Sequence, residues 1–264
     1  AEACSEHYLP KGPLDEVPQK PISISLALAD KIDLICNFWS INFKPTGSKD
    51  PFALRRAAIG IIRILLENKI PLSLVTILKL GNKNLDFEDL IEFFSERVRG
   101  QLIEKGLRFD VLNSLNLKTY QNISLIEIFQ RAWVLQEFVV TKRGKDLIQG
   151  YRRAINILTA EEYKDACIYS SSPKNDLFEE PSERSLNKNL LRIEKKVRDS
   201  LKDEKIQLAL EDLSKLRLPI DNFFSDVKIN SENSALRRNR LHLLNQIKNV
   251  MHLLADFSQI DGDL

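Results

Sequence analysis

Glycine and proline are scarce, nine and ten in 264 residues, and methionine occurs once, at Met251. With so few helix breakers among abundant Leu, Ile, Lys, Glu and Asp, the chain is expected to be mainly helical. The three cysteines, Cys4, Cys36 and Cys167, are odd in number and far apart. They exclude a disulfide framework and a Cys-x-x-Cys site, and are expected as free, mostly buried thiols of a reducing cytoplasm. No apolar run reaches the roughly 18 residues of a membrane span. The opening "AEACSEHYLP" lacks the basic and apolar regions of a signal peptide. It also lacks an initiator methionine, so the chain is expected to be a piece of a longer polypeptide. Charge of one sign is missing too: 39 basic against 37 acidic residues leave +2. A nucleic-acid surface would therefore have to be a local patch.

Catalytic signatures are absent. There is no Gly-x-Ser-x-Gly, no His-Glu-x-x-His and no Cys–His pairing by spacing. His7 stands alone. His242 and His252 are ten residues apart on one expected helix, about 15 Å along its axis, too far to share a metal. No catalytic or metal-binding residue is expected.

What is present is helical pattern. Hydrophobic residues at 43% and charged residues at 29% suffice for a core, in one large or two ordinary domains. Pro10, Pro13, Pro18 and Pro21, with Gly12 between, make residues 9–22 an extended connector. From Ile22, "ISISLALADKIDLICNFWSI" reads as a helix buried on most sides, with Leu26, Ala29, Ile32, Asp33 and Cys36 along adjacent turns. A second helix is expected from Pro51 to about Lys69, with Asp50 as N-cap, and a weaker element over 72–80. Phe87, Leu90, Ile91, Phe94, Val98 and Leu102 form an i, i+3, i+4, i+7 stripe, with Asp86 as N-cap and Gly106 as stop. Asp110 marks a short helix. Further helices are expected over 123–141, 143–164, 183–202, 204–216, 219–226 and 233–257, with a loop at 168–182. No strand alternation or repeat appears. The fold is read as all-α.

Three clusters carry cations. In "FKPTGSKDPFALRRAA" a single glycine, Gly47, precedes Ser48-Lys49, so the two-glycine phosphate loop of nucleotide-binding proteins is excluded. Lys49, Arg55 and Arg56 nevertheless crowd a helix start, where the dipole favours anions. An external phosphate and a solvated, salt-bridged face both stand as readings. Arg152-Arg153 in "YRR" and the run "ALRRNR" are the other two clusters. In the latter, Arg237 and Arg240 share a face with Arg238 turned aside, opposite a core stripe of Leu236, Leu243, Leu244 and Ile247. Arg237 and Arg240 are candidate phosphate contacts and Asn239 a candidate base-edge reader, against the alternative of a surface helix paired with acidic segments. Phe223 and Phe224 are adjacent and cannot both face one core; either is a candidate to stack on an unpaired base.

Together "SLALADKIDLICNFW", "KPTGSKDPFALRRAAIGIIRILLE", "LPIDNFFSDVKIN" and "ALRRNRLHLLNQI…LLADFSQI" resemble the C-terminal part of the β-subunit family of bacterial tetrameric (α2β2) glycyl-tRNA synthetases. The resemblance implies a partial HD-like helical segment over 1–83, a helical connector over 84–145 and a helical-bundle anticodon-binding domain over 146–264. The last is of the arginyl-tRNA synthetase type, named for an Asp-Ala-Leu-Arg motif that appears here as Ser234-Ala235-Leu236-Arg237. "LADKID" is similar to the last helix of HD phosphohydrolases, with Asp30 matching their final metal-binding aspartate. The upstream histidine and His-Asp pair are missing, so Asp30 is expected as a structural or relic residue. The implied function is tRNA binding in support of glycyl-tRNA formation, in the cytoplasm. Glycine tRNA and the α subunit would be the partners, with no membrane or DNA. No cofactor is implied here; ATP and Mg would be used by the α subunit. RNA-contact candidates are then Lys49, Arg55, Arg56, Arg152, Arg153, Arg237, Asn239 and Arg240, with Phe223 and Phe224 for stacking. The alternatives are an HD-type metal phosphohydrolase fragment, or a helical scaffold that only holds the α subunit.

Overall fold

The computed structural model describes residues 2–81, 87–115, 117 and 122–261. Among these, the regular structure is helical: α1 (Glu2–Glu6), α2 (Pro21–Ser40), α3 (Leu54–Glu67), α4 (Leu74–Gly81), α5 (Phe87–Glu104) and α6 (Phe109–Ser114) come first. Then follow α7 (Leu125–Val139), α8 (Lys142–Asp165), α9 (Pro181–Lys202), α10 (Ile206–Ser214), α11 (Arg217–Asp226) and α12 (Ser234–Met251). Two isolated bridges, Thr46–Lys49 and Ser73–Ser124, are the only β pairing among the described residues. The all-α expectation holds. The chain divides into two units: Ala1–Leu107 with Asn116–Gln130, and Arg108–Leu115 with Arg131–Leu264.

In the first unit α2 packs against α3 and α4, and α3 against α5. The core face of α3 is Leu54, Ala58, Ile61, Ile62 and Leu65, all but closed to solvent. A Cβ at Gly60 would come within 2.9 Å of the Lys31 side chain, so the glycine lets α2 and α3 close up. Lys31 itself is buried and donates to the His7 carbonyl at 3.0 Å; burial lowers its pKa. The proline-rich connector is tied down by α3. Arg63 donates to the carbonyls of Gly12 and Asp15, and Asn68 to that of Pro18.

Two local expectations need correction here. Helix α2 is buried on one face only, through Ala27, Ile32, Ile35, Cys36 and Trp39. Leu26 and Ala29 face outward beside Asp30 and Asp33, lining an open groove of about 810 Å³. Helix α3 starts at Leu54, not at Pro51, and its N-cap position is Ala53, in the left-handed region at φ 55°. Asp50 still caps, from further back: its carboxylate accepts from the backbone N–H groups of Leu54 (2.8 Å) and Arg55 (3.0 Å).

Helix α5 closes as read. Gly106 takes φ +95°, Gly106 N–H donates to Ile103 and Leu107 N–H to Leu102, the paired bonds of a Schellman stop. The expected cap Asp86 lies outside the described residues. Of the cysteines, only Cys36 is buried, its thiol pushed up to about 11 by burial; Cys4 is exposed and Cys167 half-buried, which corrects the expectation of mostly buried thiols.

The second unit is built on α8, α9 and α12. Tyr151, Leu158, Leu190, Ile193, Leu241, Leu244 and Ile247 are sealed between them. Its caps are explicit. Thr141 Oγ1 accepts from Gly144 N at 3.1 Å, and Glu180 and Glu183 form a reciprocal capping box at the start of α9. Helix α12 ends at Met251, short of the expected 257; beyond it Asp256 N–H turns to the Ser114 carbonyl at 2.8 Å.

Candidate nucleic-acid interface

The run Leu236–Arg240 on α12 sends most of its polar side chains inward. Arg237 Nη2 pairs with Glu161 and, at 2.6 Å, with Asp165, both at the C-terminal end of α8. Arg240 is 6% exposed; its Nε donates to Glu183 at 2.9 Å and its Nη1 to the Lys228 carbonyl at 2.9 Å. Asn239 is buried and spends both ends of its amide on one residue, accepting from Lys174 N at 2.7 Å and donating to Lys174 O at 3.0 Å. These contacts correct the assignment of Arg237, Asn239 and Arg240 as RNA contacts. All three pin α12 to α8, to α9 and to the 168–180 loop. The sequence held a signal for two of them: Asn239 and Arg240 lie three and four residues after Leu236 and shortly before Leu243 and Leu244, on the core stripe itself. Asn233, not Ser234, caps α12, its side-chain oxygen accepting from Ala235 and Leu236 N–H.

Arg238, the arginine read as turned aside, is the exposed one of the run. It has no carboxylate partner among the described residues. It lies close enough to His242 to help lower that imidazole's pKa, after the larger effect of burial.

Of the two adjacent aromatics, Phe223 is fully buried, which removes it as a stacking residue. Phe224 is half-buried, and the Arg153 guanidinium lies over its ring, 4.4 Å from the centroid. The fold thus joins two candidates 71 positions apart in sequence. Such a contact orients an exposed guanidinium at about 0.5–1 kcal/mol. Along α8, Lys142, Gln149, Arg153 and Asn156 are exposed at spacings of seven, four and three, hence on one face. Arg152 is half-buried at the edge of this stripe, and exposed Arg143 lies at its start. Among the described residues Lys142, Arg143 and Arg152 have no carboxylate in contact. Lys142, Arg143 and Arg238 were missed by reading clusters; helical spacing along α8 was the signal available for Lys142.

The first unit holds the remaining candidates. Lys49 and Arg56 are exposed and Arg55 half-exposed around the start of α3. Two N–H groups that an external phosphate would use there are already occupied by Asp50. Asp30 is exposed on α2, and among the described residues no three His, Cys, Asp or Glu side chains are grouped to hold a metal. No described helix is long and apolar enough to cross a membrane.

The Arg237 clamp gives the second unit an acid limb. The Arg237 hydrogen bond is the largest cause holding the Glu161 carboxyl below its usual range. For Asp165 the Tyr169 hydroxyl comes first and Arg237 second. Depressed carboxyls contribute stability that is present above the unfolded value of about 4 and lost as pH falls through the folded value. The urea midpoint of this unit is expected to decline first as pH falls below about 6.5, where His242 and His252, both lowered by burial, charge in the unfolded chain. It is expected to decline again below about pH 4 through the carboxyls. Arg237→Met is expected to start lower and decline less steeply; Asp110 and Asp256, also held low, keep part of the limb. Parallel acid limbs in the two proteins would remove Arg237 as its source.

Two family models match the chain. One, described as the glycyl-tRNA synthetase beta subunit, covers residues 1–116; the other, the DALR anticodon binding domain, covers residues 147–258. Among relatives, the glycine–tRNA ligase beta subunit of Ruegeria sp. (strain TM1040) is 40% identical over 263 residues, covering 99% of this chain and 38% of the relative. That of Paracoccus denitrificans (strain Pd 1222) is 42% identical over 262 residues, with 99% and 38% covered. That of Cereibacter sphaeroides (strain ATCC 17029 / ATH 2.4.9) is 42% identical over 273 residues, with 99% and 39% covered. The chain spans less than two fifths of the length of these curated relatives.

Proposed function

We propose that this chain, which belongs to the family of glycyl-tRNA synthetase β subunits, supplies the anticodon-side tRNA contacts of a glycine–tRNA ligase. One observation carries the reading: the stretch matched by the anticodon-binding model folds as α8–α12 and turns a basic stripe of α8 outward. Arg152 and Arg153, with Lys142 and Arg238, neutralise RNA phosphates, and Phe224 holds Arg153 in place. Arg237, Asn239 and Arg240 build the bundle that presents them. The chain has no catalytic residue of its own in this reading. Glycine activation with ATP and Mg belongs to the α subunit, its partner in the cytoplasm.

The test is binding of glycine-accepting tRNA to the whole chain across a salt series. Each phosphate contact contributes about 0.7–0.9 to the slope of log affinity against log salt. Arg152→Ala with Arg153→Ala is therefore expected to reduce that slope by about 1.4–1.8. Affinity no greater than for an unrelated RNA hairpin, or an unchanged slope in the double variant, would overturn the assignment.

A further inference from the structure

We infer a second RNA-contacting corner, on the first unit, that receives an unpaired stretch of RNA on Phe43 and Phe52 and its phosphates on Lys49, Arg55 and Arg56. Phe38 of α2 stacks on Phe52 with centroids 4.2 Å apart, and Phe43 meets Phe52 edge-on at 5.2 Å. The cluster is anchored below and open above: Phe43 is 42% and Phe52 45% exposed. Between the two rings runs a tight turn, closed by Thr46 and Lys49 through reciprocal backbone bonds of 3.1 and 2.8 Å. Gly47 at its tip takes φ +49° and has open space around it. The turn sets Lys49 three residues before Phe52, and the first turn of α3 sets Arg55 and Arg56 just after it.

The cations of this corner fall into two groups. Lys44 is committed to Asp89, and Arg97 to Glu96 and to the Phe93 carbonyl and ring. The side chains of Lys49, Arg55 and Arg56 form no ion pair with a carboxylate among the described residues. The one acid in the middle, Asp50, is turned to the backbone of α3. Three cations without an ion pair, next to two open rings along the chain, suit a strand that carries both charge and flat bases. A single strand brings phosphates and flat bases on the same chain. Duplex RNA keeps its bases stacked and does not offer them to a ring.

The inference rests on the chain binding RNA, but not on the α8 stripe, so the two are tested in separate arms. The whole chain is assayed with an eight-nucleotide oligouridylate, a duplex RNA and glycine-accepting tRNA, in the presence and absence of Arg152→Ala/Arg153→Ala. Lys49→Ala/Arg55→Ala/Arg56→Ala is expected to lower the salt slope on the single strand by about 2, at 0.7 per phosphate. Phe52→Leu keeps the apolar contact with Phe38 but removes the ring. It is expected to weaken single-strand binding about fivefold or more at every salt concentration, with the slope unchanged, while Phe52→Tyr retains binding. Unfolding midpoints monitor folding, and the exposed triple variant carries the test if Phe52→Leu proves unstable. Unchanged slope and affinity in the corner variants would overturn the corner and leave the α8 reading intact; loss of tRNA binding only through Arg152 and Arg153 would do the same. Corner variants that lose the α subunit in a pull-down while keeping RNA affinity would show a protein interface, and overturn it too.

Discussion

Arg240→Ala is expected to destabilise the second unit by about 3–5 kcal/mol. Arg240 and Glu183 are both buried, at 6% and 0% exposure. One Glu183 oxygen meets Arg240; the other accepts the N–H groups of Glu179 and Glu180 and so closes the start of α9. Removing the guanidinium leaves a sealed carboxylate without its counter-charge and the Lys228 carbonyl without its donor. An exposed pair such as Lys205–Asp203 offers the contrast, since both partners stay hydrated and the expected loss is below about 1 kcal/mol. Trp133 lies in the second unit and Trp39 in the first, so Trp133 fluorescence in a Trp39→Phe background follows urea unfolding of the second unit. A shift corresponding to less than about 1 kcal/mol would place the pair with the exposed ones.

Phe223→Ala is expected to cost about 3–5 kcal/mol in the same assay, and Phe224→Ala far less. The two residues are neighbours in sequence and opposites in place. Phe223 is sealed at 0% exposure on the face α11 turns to α8 and α9, where truncation leaves a cavity the packed helices cannot fill. Phe224 sits half-open beneath Arg153. Its removal frees a guanidinium and is expected to weaken tRNA binding about two- to fivefold, the worth of an exposed cation–π contact. Phe223→Ala with a loss near 1 kcal/mol would contradict the packing; Phe224→Ala without effect on tRNA would remove its role in presenting Arg153.

The helices were legible because their apolar spacing is local. The stripe from Phe87 to Leu102 and the stop at Gly106 needed no information from elsewhere in the chain. The polar residues of α12 were less legible because their partners lie 57 to 76 positions earlier. A charge run next to a leucine stripe looks like a wet surface until Glu161, Lys174 and Glu183 are seen waiting on other elements. The start of α3 failed for a different reason. Asp-Pro is a sound helix opening, but here the chain spends Pro51 and Phe52 on an extra turn, which leaves the Phe52 ring half in solvent, and the carboxylate reaches forward to cap. The α8 stripe was half legible: the doublet Arg152-Arg153 stood out, while Lys142 and Gln149 did not until the face was drawn.

The cap of α12 divides the duties of the motif between its two ends. Asn233 secures the helix from outside the four-letter motif, and Ser234 is left exposed as an ordinary first-turn residue. The first letter of the motif thereby caps nothing, whereas its last letter, Arg237, is held by partners on two other segments of the chain. Replacing Ser234 therefore leaves the start of α12 closed, while replacing Arg237 unfastens α12 from the end of α8.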